Sequence, residues 1–270
     1  MRGKLIQALL TVSCLAGCGT AAGAEAPVVA PATTATTTTT SPVGERTPEQ
    51  TGSAALVAAS GDSLRTRITY PAAGGGRFTV AAAETAAPAG RAGRLKRYRV
   101  AVERDIRGVT AADFAAAVTA TLRDPRSWTA GGQWRLTRVG PGGPADFTVR
   151  LVTPQTRDRL CAGAPDGYTS CRNGDRVVIN VARWAKGVPG YGAPLAAYRQ
   201  YVVNHEVGHA LGQAHELCPA RGALAPVMQQ QTLGMHGCTP NAWPYLRGDR
   251  YRGRIGAYDD PVPRRESGRG

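Results

Sequence analysis

The sequence predicts an α+β domain, because strand patterns and two longer helical patterns follow one another within a single globular stretch. This stretch has about 190 residues, which is enough for one sizeable hydrophobic core. A segment rich in Ala, Thr, Pro and Gly precedes it and shows no apolar periodicity. The chain is therefore predicted to contain an N-terminal leader, a flexible linker, one folded domain and a short tail.

Residues 1–17 are typical of a secretion signal. Two basic residues precede an apolar stretch from Leu5 to Ala16, which is too short to span a bilayer permanently. Leu15-Ala16-Gly17-Cys18 is similar to a bacterial lipobox, in which the cysteine is lipidated and begins the mature chain. An ordinary secreted protein is the alternative. Both interpretations place the domain outside the cytoplasm, and the lipobox predicts a membrane anchor at Cys18.

Residues 18–62 are predicted to be a disordered tether, because Thr, Ala and Pro cannot bury enough apolar surface to offset the entropy of ordering. The folded domain is predicted over residues 63–251, followed by a flexible tail over residues 252–270. The net charge of +14 favours anionic neighbours such as cell-wall polymers. No basic block is interleaved with aromatic residues, so nucleic acid is not expected as a partner. We expect a monomer.

Local patterns predict the elements of the domain in order. Alternation and buried runs predict strands over Arg77–Ala82, Leu95–Glu103, Gln133–Val139, Asp146–Val152 and Arg176–Trp184. Thr110 and Asp113 have the spacing of a capping box, which predicts a helix that ends near Asp124-Pro125. Pro194 is expected to open a second helix that runs to about Leu211.

The second helix and the turn after it contain the pattern HExxHxxGxxH. On a helix, His205 and His209 lie four residues apart on one face, so both imidazoles can bind one metal ion. Glu206 lies beside them as a candidate general base. Gly212 can adopt a positive φ and end the helix, which lets His215 return as the third ligand. Three protein ligands leave a position for water, as in catalytic Zn²⁺ sites.

The extended pattern resembles the signature of the metzincin zinc metallopeptidases. The resemblance implies a mixed, twisted sheet and two main helices above a zinc cleft, with an edge strand that binds the substrate backbone. It divides the domain into an upper subdomain, residues 63–215, and a short irregular lower subdomain, residues 216–251. It also implies a methionine-bearing turn beneath the metal, for which Met228 is the candidate.

A closer resemblance is to a bacterial secreted family of metzincin-like domains of unknown function. Its motifs here are Asp124–Trp128, Val203–His209 and Ala225–Thr232, and the likeness covers about Ala73 to Tyr245. It implies the same fold and zinc ligands but supplies no substrate.

One departure from the metzincin pattern concerns the oxyanion. Several metzincins have a tyrosine two residues after the methionine, and this chain has Gln230 there. The group that would stabilise the oxyanion is therefore unassigned. The possible donors are Gln229, Gln230, Gln231 and Arg183.

Four cysteines lie in the predicted domain. An even number in an oxidising compartment predicts two disulfides, with three possible pairings. We favour the sequential pairs, Cys161–Cys171 and Cys218–Cys238, of which the second would tie the two ends of the Met228 segment. The competing interpretation makes Cys218 a zinc ligand or a thiol switch.

The expected function is that of a secreted, membrane-tethered zinc peptidase that hydrolyses extracellular protein or wall peptide. The alternative is a non-catalytic zinc-containing lipoprotein that binds a cell-wall or protein partner. Glu206 distinguishes the two, because a structural zinc ion needs the histidines but not the base.

Overall fold

The computed structural model describes residues 67–264. The predicted signal peptide, Cys18, the tether and residues 265–270 lie outside this range. The described helices are α1 (Ala111–Arg123), α2 (Pro154–Leu160), α3 (Val181–Lys186) and α4 (Leu195–Ala210). None of these helices combines the length and apolar character that crossing a membrane requires.

The main sheet has six strands of mixed direction. They are β1 (Phe78–Val80), β2 (Arg94–Glu103), β3 (Trp134–Arg138), β4 (Phe147–Val152), β5 (Cys171–Asn173) and β6 (Arg176–Asn180). The order is β1-β2-β4-β6-β5, and β3 pairs with the first half of β2. β2, β3, β4 and β6 run parallel, whereas β1 and β5 are antiparallel to their neighbours. The α+β class and the mixed sheet are therefore confirmed. A separate hairpin joins β7 (Tyr245–Leu246) to β8 (Asp249–Arg250).

The capping box predicted for α1 is present. Thr110 Oγ1 accepts from the backbone N–H of Asp113 at 3.1 Å, and Asp113 Oδ2 accepts from the backbone N–H of Thr110 at 3.0 Å. The buried face of α1 packs on the sheet and on α4, and its largest side chains are Phe114, Val118 and Leu122. Burying one such side chain contributes roughly 1.5–3 kcal/mol, so α1 helps to hold α4 in place.

The single strand predicted over Arg176–Trp184 is wrong in its second half. β6 ends at Asn180, whose side chain accepts from the N–H of Ala182 at 3.0 Å and caps α3. Residues on both sides of this cap are buried. Apolar content alone therefore could not separate the strand from the helix, and the asparagine at the boundary decides the structure.

The short elements α2 and β5 and the β7–β8 hairpin were not predicted from sequence. α2 has seven residues and begins at Pro154, and β5 has only three residues. Elements of this length show too few repeats for a periodicity to be recognised. β5 is the most important omission, because it forms the edge of the sheet beside α4.

The packed part of the chain extends past Tyr251, the predicted domain boundary. Within the segment assigned to the tail, Arg254 accepts a hydrogen bond at its carbonyl oxygen from the N–H of Leu217 at 2.8 Å. Gly256 N–H donates to the carbonyl oxygen of His215 at 3.0 Å. This segment therefore supports the backbone that carries the third histidine.

Both sequential disulfides are confirmed. Cys161 bonds to Cys171 and Cys218 bonds to Cys238, with Cα–Cα distances of 6.0 and 5.9 Å. The first bond fixes the start of β5, and the second brackets the segment that contains Met228. Because its sulfur is in a disulfide, Cys218 has no thiolate to offer a metal.

We expect thiol titration of the denatured protein, produced without residues 1–18, to detect no free cysteine before reduction and four after it. Each disulfide restricts the unfolded chain and contributes about 2–4 kcal/mol, so reduction should also lower the melting temperature. Four reactive thiols in the unreduced protein would contradict the assignment.

Candidate metal centre

Three histidines converge at the end of α4. His205 and His209 lie on its last turns, and His215 follows a turn in which Gly212 has φ of +86°. The ring nitrogens that could bind a metal all lie within 4.8 Å of one another. The closest pair is His209 Nε2 and His215 Nε2, at 3.1 Å.

Backbone carbonyl groups fix the tautomers of two of these rings. His205 Nδ1 lies 2.9 Å from the carbonyl oxygen of Val227, and His209 Nδ1 lies 2.8 Å from that of Gln213. A carbonyl oxygen can only accept a hydrogen bond, so each Nδ1 carries the proton and donates. The lone pair of each Nε2 is then available to a metal. Metal-binding histidines usually have an outer partner of this kind.

The geometry and protonation of the cluster fit a zinc ion. Tetrahedral bonds of 2.0–2.1 Å would place two ligand nitrogens about 3.4 Å apart, close to the separation of His209 and His215. Burial lowers the pKa of His205 well below its usual value and that of His215 to about 4. Burial also lowers the pKa of His209, and the positive charge of Arg172 lowers it further. Neutral imidazole is the form that binds a metal.

Glu206 lies beside the three rings and lines the same cleft. Its side chain is 5% exposed, and Oε2 has no hydrogen-bond partner among the described residues. Burial raises the pKa of Glu206 to about 8, and the charge of Arg157 opposes this rise. A cation bound by the histidines would lower the pKa again. The carboxylate is thus free to exchange a proton with a molecule in the cleft.

Met228 packs beneath the helix against Gly208, a residue that sequence reasoning missed. A Cβ atom at position 208 would lie 2.5 Å from Met228 Sδ and 2.6 Å from Trp128 Cζ2. Only a residue without a side chain therefore fits between the two histidines of α4. The sequence did offer a sign of this role, because a glycine inside a helix destabilises it by roughly 1 kcal/mol relative to alanine. Such a glycine usually indicates close packing at that position.

The Met228 segment also contacts the loop of the third histidine. The carbonyl oxygen of Met228 accepts from the N–H of Glu216 at 3.1 Å, one residue after His215. The hydroxyl of Tyr201, on α4, donates a hydrogen bond to the carbonyl oxygen of Gln229 at 3.0 Å. One short segment therefore positions helix and loop together.

Of the four candidate oxyanion donors, only Gln230 lines the cleft. The side-chain amide of Gln229 donates to Gly234 and Met235 carbonyl oxygens, at 3.1 and 3.0 Å. Gln231 donates to the carbonyl oxygens of Pro226 and Asn241. Arg183 is buried, with its guanidinium 3.9 Å from the centroid of the Tyr168 ring. These three side chains are structural.

Asn204, the residue before the first histidine, joins α4 to its surroundings. Its Oδ1 accepts from Ser127 Oγ at 2.8 Å, and its Nδ2 donates to the carbonyl oxygen of Ala242 at 2.9 Å. Trp128 Nε1 donates to the backbone oxygen of Asn204 at 2.8 Å. Asn204 therefore fixes the position of the helix and does not face the histidine cluster.

The remaining histidine, His236, lies apart from the cluster. Its Nε2 is 2.8 Å from Asp260 Oδ2, and its ring stacks on Tyr258. It is accordingly a suitable control for experiments on the three clustered histidines.

The histidines open onto a cleft of about 500 Å³. One wall is the edge strand β5 with the two residues before it, and the other includes Gln230, Thr232 and Leu233. The cleft is therefore bounded by the sheet edge on one side and by the segment after Met228 on the other.

We expect the metal-free protein to bind one equivalent of Zn²⁺, measured by calorimetry. His209→Ala should weaken binding by more than about 100-fold, because loss of even an outer partner costs 10–100-fold. His236→Ala should leave the affinity unchanged. Equal effects of the two substitutions would contradict the site.

Residues 65–238 match a family model with the description "Protein of unknown function (DUF3152)". No curated protein and no solved structure matches the chain significantly. Since the family model covers more than half of the sequence, including the three clustered histidines and Met228, the chain belongs to this family of unknown function.

Proposed function

We infer that the domain is a metzincin-type zinc peptidase that hydrolyses peptide bonds. The observation that carries this proposal is the convergence of three neutral imidazoles beside a buried carboxylate, one oxygen of which has no partner in the described part of the chain. A purely structural site would gain nothing from such a carboxylate, since burying it without a hydrogen-bond partner is costly. The cost is consistent with a role in proton transfer.

Each residue has a distinct task in the proposed reaction. His205, His209 and His215 would hold the zinc ion, which when bound supplies a Lewis acid that polarises a carbonyl group and acidifies water. Glu206 takes a proton from the attacking water and passes it to the leaving amine. The Val227 and Gln213 carbonyl groups keep two of the imidazoles oriented throughout.

Gln230 is the best candidate for stabilising the oxyanion. Its side chain forms no hydrogen bond with the residues that the structure describes, and it lines the cleft with Glu206. An amide N–H placed near the developing charge stabilises a tetrahedral intermediate more than the substrate. This assignment gives Gln230 the role of the tyrosine found in several metzincins.

Three features support a metzincin-like fold. The edge strand β5 is antiparallel to its neighbour and borders the cleft. α4 carries two of the histidines and ends at a turn through Gly212. Met228 packs beneath that helix, as a methionine-bearing turn would.

We also propose that the protein works outside the cytoplasm, tethered through lipid at Cys18. The two disulfides support this location, because such bonds persist in oxidising compartments. The thiol titration described above tests it, since a protein from a reducing compartment would show four free thiols.

Glu206→Gln should strongly slow peptide cleavage while zinc binding is retained. Loss of a general base lowers the rate by about 10²–10⁴-fold, and the substituted amide leaves the three imidazoles in place. Cleavage of a peptide library and zinc content should be measured together. Asp175→Asn, an exposed change in the β5–β6 hairpin, is the control and should cleave normally. If zinc-loaded wild type cleaves nothing, the non-catalytic binding protein becomes the better explanation.

Gln230→Ala should lower kcat by about 10²–10³-fold with little change in KM, as expected for a donor that acts mainly in the transition state. Zinc content should not change. Gln200→Ala, on α4 away from the cleft, provides the matched control. A rise in KM with an unchanged kcat would show instead that Gln230 only binds substrate.

A further inference from the structure

Arg172, in the edge strand β5, projects toward the cleft. The antiparallel register pairs Arg172 with Val177, and Val177 is buried in the main core together with residues of α4. The neighbouring pair, Cys171 and Val178, belongs to a separate apolar cluster on the other face of the sheet. Because side chains alternate along a strand, Arg172 lies on the face that carries α4 and the histidines.

The Arg172 side chain forms no ion pair with the described residues of the cleft. It is the only Arg or Lys among the cleft-lining residues, and Glu206 is their only Asp or Glu. Within residues 67–264, the Arg172 side chain makes no hydrogen bond or ion pair, whereas that of Arg157 in the preceding helix pairs with Asp158 and Asp166. An uncompensated cation in a concave site attracts anionic groups.

The backbone beneath Arg172 is held in place on both sides. Cys171 is bonded to Cys161, and Asn173 Nδ2 donates to the carbonyl oxygen of Leu160 at 3.0 Å. The backbone that carries the Arg172 side chain therefore loses little entropy when a ligand binds. Guanidinium is moreover suited to a carboxylate, which it can bind through two parallel hydrogen bonds.

We propose that Arg172 forms a subsite for a carboxylate of the substrate, so that the cleft selects acidic peptides. The carboxylate belongs either to an Asp or Glu side chain or to the C-terminus of the peptide, and both offer Arg172 the same chemistry. The inference rests on the proposed peptidase function for its biological meaning, but peptide binding tests it without catalysis.

The test measures binding of fluorescent peptides to zinc-loaded Glu206→Gln protein by anisotropy. A neutral peptide with blocked ends is compared with versions that carry one Glu at successive positions, and with a version that has a free C-terminus. Glu at one position, or the free C-terminus, should tighten binding about tenfold, as expected for a charge-assisted pair.

Substitutions then assign the effect to Arg172. Adding Arg172→Ala should remove the preference, and adding Arg172→Glu should make a Lys peptide bind better than the Glu peptide. The matched control is Arg176→Glu, because the register places Arg176 on the opposite face of the sheet. The Arg176→Glu control should keep the preference for Glu, although it changes the net charge by the same amount as Arg172→Glu.

The outcomes separate this inference from the proposed reaction. If the neutral peptide and its acidic versions bind equally and wild type cleaves them equally, the carboxylate subsite is disproved while the peptidase stands. If the preference depends on Arg172 but nothing is cleaved, the subsite stands and the peptidase fails. A preference that Arg176→Glu abolishes as well would overturn the subsite, since it would reflect overall charge alone.

Discussion

The candidate site depends on the orientation of its imidazole rings by backbone carbonyl groups. A neutral histidine ring carries a proton on one nitrogen and a free lone pair on the other. A hydrogen bond from the protonated nitrogen to an acceptor decides which nitrogen keeps the lone pair for a metal. His205 obtains its partner from Val227, and His209 obtains its partner from Gln213. Without these two oxygens, the spacing of the histidines would still bring the rings together. It would not orient their Nε2 lone pairs toward a common point. The loop and the segment before Met228 are therefore as necessary as the helix.

These carbonyl groups lie in irregular backbone, which needs support of another kind. In the lower part of the domain, buried side-chain amides provide it. Gln231 binds the carbonyl oxygens of Pro226 and Asn241, and Asn241 binds those of Ala225 and Trp243. Side-chain amides with all their hydrogen bonds formed can hold turns that a small apolar core could not specify. Hydrogen bonds are directional, whereas apolar contacts are not. The Cys218–Cys238 disulfide adds a covalent restraint to the same region.

The parts of the fold that were predicted correctly are those encoded by neighbouring residues. The capping box of α1 and the alternation of β2 can be recognised from short spacings, and the favoured disulfide pairs join cysteines that are consecutive in the folded domain. The strand predicted beyond Asn180 failed because buried helix and buried strand have the same apolar composition. β5 was missed because three residues carry no detectable period. For the candidate metal ligands the motif suffices to nominate the residues, but the acceptors for the Nδ1 protons of His205 and His209 are twenty-two and four positions away.

Three consecutive glutamines show why substrate chemistry is harder to predict than metal chemistry. Gln229, Gln230 and Gln231 are identical in composition and local context, yet only the middle one lines the cleft. Partners elsewhere decide the difference, since Gly234 and Asn241 engage the outer two. The same reasoning applies to Arg172, whose direction follows from its pairing with Val177 rather than from its own segment. Ligands of a metal can come from one helix and its turn, whereas groups that contact a substrate are brought together only by the complete fold.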